Sequence, residues 1–179
     1  TIIDTVSFPS GKKISNSSGP EIRLSARYSI SRNTSVKVSY NRLRQYIQML
    51  SNTTAIAPTD IWKLSDPYVK PLIGDQISIG YYQSMTKSLE FSVEGYYKIM
   101  HNFLDYKGGA ELILNHHIET DVLNAEGKAY GIEFLVKKTS GKINGWFSYA
   151  YSRSLLKTAG ETDSETINRG EYYPSNYDK

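Results

Sequence analysis

The adjacent pair His116-His117, with Glu119 and Asp121 just beyond it, is the stretch best supplied with metal donors, since imidazole and carboxylate together suit zinc and its neighbours. Adjacent histidines in an extended chain point to opposite faces, and nothing else in the sequence fixes a first shell. A solvated loop is therefore the plainer reading, and neither a metal nor another cofactor is expected. Trp62, Tyr68, Tyr106, Tyr172 and Tyr173 carry flat amphipathic rings that could stack on a sugar or a chelate. Packing among loops is the bland alternative for these rings. With the two histidines they make up the candidate ligand contacts. Glu90 and Glu94 share one face of one strand, whereas hydrolysis by paired carboxylates needs the two groups to flank a substrate. No Gly-x-Ser-x-Gly elbow and no cysteine is present, so no serine or thiol nucleophile is expected and the chain does not read as an enzyme. Asn16, Asn33 and Asn52 each open an Asn-x-Ser/Thr string, a pattern common by chance.

The elements that must carry these residues alternate with a period of two. Residues 128–154 set the pattern: Tyr130, Ile132, Phe134 and Val136 fall on one face against Glu133, Leu135 and Lys137, and Phe147, Tyr149 and Tyr151 oppose Trp146, Ser148 and Ala150. A turn at residues 139–142 would set Phe134 opposite Phe147, Ile132 opposite Tyr149 and Tyr130 opposite Tyr151. The same alternation marks residues 21–30, 35–47, 75–85 and 89–103, with the last hairpin reading 128–138 and 143–155. The fold expected is all-β, an antiparallel up-and-down meander of about six long strands. Between the short turns lie the long connections 1–20, 48–74, 104–127 and 156–179, within which residues 59–64 suggest a short helical turn.

Two media could meet the apolar face. A soluble sandwich would alternate too. The strands, however, run to the length a tilted strand needs to cross hydrocarbon, and connections alternate between short and very long, as in outer-membrane barrels. Charges keep to the opposite face, on Arg23, Arg27, Lys37, Glu90, Glu94, Lys98, Glu133 and Lys137. The two glutamates on one strand are expected to hydrate a lumen or to pair with Lys98 and Lys137. Aromatics lie toward the strand ends, with Tyr40, Tyr97, Tyr130 and Tyr151 near the long connections and Tyr28 near the short turns. Lipid is thus expected on one side and a watery lumen on the other. The alternative is a soluble β-rich binding or adhesion domain.

The sequence has 179 residues, of which 15 are tyrosine and 39% are hydrophobic. Its 21 basic and 18 acidic residues are dispersed, which argues against a nucleic-acid partner. No apolar run is long enough for a spanning helix, and residues 1–11 have neither the basic start nor the apolar core of a signal peptide.

The strings YGIEF at 130–134, GWFSYAYSRS at 145–154 and EYYPSNYDK at 171–179 resemble the barrel region of TonB-dependent outer-membrane receptors of the Bacteroidetes type. So do SYNRLRQY at 39–46, LSNTT at 50–54 and DIW at 60–62, and the likeness covers roughly residues 19–179. It implies a segment of a transmembrane β-barrel of about 22 strands, with the plug domain and TonB box outside this sequence. It also implies a bacterial outer-membrane location and import of a scarce nutrient, such as an iron chelate, cobalamin or a glycan, with inner-membrane energy. The partners implied are outer-membrane lipid, the TonB complex acting through the missing plug, a small nutrient ligand and a surface lipoprotein. About six strands are too few to close a barrel, so the expectation is a piece of a larger wall.

Overall fold

A computed structural model describes residues 9–13, 15–50, 61–67, 69–107, 121–160, 162, 165–175 and 178. Its strands are β1 (Ile22–Ser31), β2 (Thr34–Gln45), β3 (Ile47–Leu50), β4 (Ile61–Leu64), β5 (Leu72–Thr86), β6 (Leu89–Tyr106), β7 (Val122–Lys138), β8 (Gly145–Lys157) and β9 (Tyr173–Pro174). Seven of them form one sheet in the order β1-β2-β5-β6-β7-β8-β9, while β3 and β4 pair separately. Every pairing in the large sheet is antiparallel between neighbours, which is a meander.

The registers line up side chains across the whole sheet. One row of the apolar face runs Tyr28, Val36, Tyr81, Val93, Phe134 and Tyr149. On the other face a row runs Arg27, Lys37, Gly80, Glu94, Glu133 and Ala150, and the next holds Ser25, Ser39, Ser78, Tyr96, Gly131 and Ser152. Gly131 is there because the wall is tight: a Cβ would come within 2.9 Å of the Tyr96 ring and 2.7 Å of the Tyr151 carbonyl oxygen. Hydrogen bonds on this face are local, with Ser39 and Ser78 Oγ 2.6 Å apart and Arg27 Nε donating to Ser35 Oγ at 3.0 Å.

The apolar face carries the exposed large side chains, among them Tyr28 at 74%, Phe147 at 67% and Ile79 at 58%. Among the described residues no second sheet covers this face, so the sandwich alternative has no partner layer. The apolar stretch of that face ends at Asp75 and Gln83 on β5, and at Lys128 and Lys138 on β7. At about 3.4 Å per residue and a tilt of about 40°, these limits span about 21 and 26 Å, matching an apolar band of about 25 Å. Tyr40, Tyr97 and Tyr130 share a row at its upper part, the last two stacked with centroids 6.2 Å apart, and Tyr151 lies one row lower. Above the band the same face is covered by the chain's own connection. There Leu50 and Val69 bury themselves with Val122 against Leu104 and Tyr106.

Four local expectations need correction. The β7–β8 register is two residues away from that of a turn at 139–142: Phe134 faces Tyr149, Ile132 faces Tyr151 and Val136 faces Phe147. The cause is Thr139, whose N–H donates to the Ser88 carbonyl at 2.8 Å and so continues the pairing with β6 before the chain turns through Gly141 at φ 115°. Because the shift is two, every side chain keeps its face. Within residues 59–64, the described part is strand β4, paired with β3 so that Met49 faces Trp62, rather than a helical turn.

Both β6 and β7 run past the ends that alternation marks. A bulge at Asn102, held at φ 58° with its side-chain amide donating to the Pro71 carbonyl at 2.9 Å, reverses the alternation. Beyond it Phe103 and Asp105 share the polar face while Leu104 and Tyr106 take the apolar one. The connection at 156–179 likewise holds the end of β8, a 3-10 turn at Ile167–Gly170 and the short β9.

Candidate functional site at the long-connection end of the polar face

Where the polar face meets the long connections, it forms a groove of about 660 Å³. Arg23 and Lys98 reach it from β1 and β6, and Arg44 and Tyr46 border it where β2 gives way to β3. Leu43, Leu72 and Met100 supply apolar floor, with Ile47 and Leu64 from the β3–β4 hairpin closing one side. Gly74 leaves room for the Lys98 stem, because a Cβ there would stand 3.3 Å from Lys98 Cε.

The charge in this groove is only partly answered. Glu21 accepts from the Arg44 backbone N–H at 3.1 Å and lies 3.8 Å from the exposed Arg23 guanidinium. Lys98 has no carboxylate within 4 Å among the described residues. Cations above an apolar floor suit a ligand that combines anionic or polar oxygens with an apolar body.

Beside the groove, the last connection is pinned to the rim of β8 by two carboxylates. Asp105 Oδ2 accepts from Tyr173 Oη at 2.6 Å and from Thr158 Oγ1 at 2.7 Å, and Thr158 is fully buried. Burial, followed by the Asp105 hydrogen bond, pushes the Tyr173 hydroxyl up to about 12. Asp178 accepts from the Ser154 N–H at 2.9 Å and from Arg153 Nε at 2.8 Å. Those two interactions, the backbone N–H first, hold its carboxyl below the usual carboxylate range against the opposing effect of burial. Ser175 N–H returns a bond to the Ser154 carbonyl at 2.9 Å.

Toward the short turns a second cavity of about 460 Å³ is lined by Arg27, Lys37, Tyr82, Glu90 and Glu94. Glu94 stands opposite Glu133, and Glu90 opposite Lys137. Among the described residues the glutamates form no ion pair within 4 Å with Lys98 or Lys137.

Among the described residues, the candidate ligand contacts Trp62, Tyr106, Tyr172 and Tyr173 do not converge on one site. Trp62 is on β4, 61% exposed, outside the groove that its neighbour Leu64 lines. Tyr106 packs on the Leu50–Val69–Val122 cluster, and Tyr173 bonds Asp105. Tyr172 lies beneath two lysines, with Lys128 Nζ 3.6 Å and Lys157 Nζ 5.9 Å from its ring centroid. Tyr68, His116 and His117 lie outside the described residues. The groove residues Leu43, Arg44, Leu72 and Met100 escape a sequence reading, because only the cross-strand register brings them together.

A scan against family models matches residues 10–177 to the TonB dependent receptor-like β-barrel. No curated protein and no solved structure matched the chain. The meander, its uncovered apolar band and a match over nearly the whole length agree: the chain belongs to the TonB-dependent receptor β-barrel family, whose members are receptors of the bacterial outer membrane.

Proposed function

We propose that this chain is a stretch of barrel wall in a receptor that imports a scarce nutrient, an iron chelate, cobalamin or a glycan, with energy relayed from the inner membrane. The observation that carries this reading is the groove of about 660 Å³ at the long-connection end of the polar face, with Arg23 and Lys98 set over apolar side chains. A nutrient descending from outside would meet this surface before the lower wall, where Arg27, Lys37, Glu90 and Glu94 carry both signs of charge. Of the nutrient classes, an iron chelate with carboxylate or phenolate oxygens matches the cations best.

The TonB complex acts through the plug, and a surface lipoprotein would cover the long connections. Neither contact involves the apolar band. The exposed Trp62 belongs to the outer connections and serves first encounter rather than the groove itself.

The test is uptake by cells that depend on this receptor, offered ferric chelates, cobalamin and oligosaccharides one at a time. Arg23→Gln combined with Lys98→Gln should weaken capture of one class by about ten-fold or more, the scale expected when charge-assisted bonds are lost. Uptake that persists without TonB would refute the transport reading. Uptake unchanged by the double substitution would remove the groove from it.

A further inference from the structure

The charges that end the apolar band near the long connections are not equivalent. On β2 and β5, Arg42 and Asp75 form a two-point pair at 2.9 and 3.0 Å, and Tyr40 Oη donates to the same carboxylate at 2.6 Å. On β8, Arg153 is answered by Asp178 at 2.8 Å. Between these closed pairs stand Lys128 and Lys157, on the same face by register. Neither has a carboxylate within 4 Å among the described residues, although Glu126 is the cross-strand partner of Lys157. Their ammonium groups converge instead on one ring, at 3.6 and 5.9 Å from the centroid of Tyr172. Ile99 and Leu155 flank Lys128 in its own row, and the row below holds the stacked Tyr97 and Tyr130, with Arg153 beside Tyr130.

Two cations held together at the top of a lipid-facing band, with an aromatic and aliphatic wall beneath them, form an amphipathic seat. We propose that Lys128, Lys157 and Tyr172 bind the phosphate of a membrane lipid in the leaflet next to the long connections, with its acyl chains against Ile99, Tyr97 and Tyr130. Tyr172 fixes the lysines by cation–π contact without neutralising them, which leaves both charges available to an anion. Glu126 offsets one of the two charges, and the positive charge that remains favours a headgroup of net negative charge over a zwitterionic one. A free anion would gain nothing from the wall below, and this favours a lipid. The inference rests on the lipid-facing assignment of this face, which graded lysine substitutions along β8 test separately.

The experiment uses the receptor purified from outer membranes into detergent, with phosphatidylglycerol or phosphatidylcholine added at equal concentration. Lipid retention is read by native mass spectrometry and the heat-resistant folded fraction by gel. The wild type should retain phosphatidylglycerol in preference to phosphatidylcholine. Lys128→Gln with Lys157→Gln should lose that preference by roughly ten-fold or more, at about five-fold for each lysine removed from an anionic surface. The double arginine variant should keep it, as should Lys142→Gln in the opposite, short turn. If the double glutamine variant fails to fold, Lys157→Gln alone should show the single step of about five-fold. Equal retention by wild type and glutamine variants overturns the proposal. So does inorganic phosphate that displaces nothing from the lipid yet stabilises the wild type as much as phosphatidylglycerol does, since that describes a free-anion site.

Discussion

Tyr173 illustrates how a single side chain can tie a connection to the wall. Its hydroxyl must stay protonated to donate to Asp105, and it is held up to about 12 against an ordinary tyrosine value of about 10. Because the folded value is the higher one, this stabilisation is complete below about pH 10 and is lost as pH rises from about 10 through about 12. The wild type should therefore unfold at a higher temperature than Tyr173→Phe at pH 8, and the gap should close between about pH 10 and 12. The absence of a gap at pH 8 would show that the Asp105 bond contributes nothing. In the sequence Tyr173 is one of two adjacent tyrosines in a polar stretch, and nothing there foretells Asp105. The bulge at Asn102 turns Asp105 to the polar face, and a bulge leaves almost no mark in a hydrophobic pattern.

At the scale of strands, the alternation in β7 and β8 is sufficient to sort side chains into two faces but not to fix their heights. Phe147 pairs with Val136, one row above the turn, while Tyr149 pairs with Phe134 nearer the middle of the band. A lysine at mid-depth in lipid costs about 2–4 kcal/mol and much less near the interface. Tyr149→Lys should therefore impair barrel assembly most, Phe147→Lys less, and Ser148→Lys on the polar face least. The heat-resistant folded species on cold gels measures this order, and equal losses at all three positions would mean that the faces are wrongly assigned. The face of Phe147 follows from its neighbours in the chain. Its depth depends on Thr139 and Ser88 meeting across β6, a contact between distant residues that no local pattern encodes.

For the molecule as a whole, the family is legible because the strings at 130–134 and 145–154 lie in strands whose two faces meet different media. The groove is not legible, since Arg23, Leu43, Leu72 and Met100 come from four strands and acquire a common function only through register. The band also predicts behaviour in solution. With Tyr28, Ile79 and Phe147 uncovered, the chain produced alone in detergent-free buffer should precipitate rather than run as a monodisperse, cooperatively unfolding species. Size-exclusion chromatography decides this, and a sharp monomer peak in water would favour the soluble alternative.

The rim of β8 has a further consequence, for the order of assembly. Its edge is already occupied from Ser154 to Leu156 by Ser175, Asp178 and β9, while among the described residues no strand pairs with the same edge from Gly145 to Arg153. A strand arriving at this edge can zip up from the short-turn end and must stop, or peel the last connection away, where Asp178 grips Ser154. Growth of the wall on this side is thus polarised, starting deep and ending at a built-in brake near the outer surface.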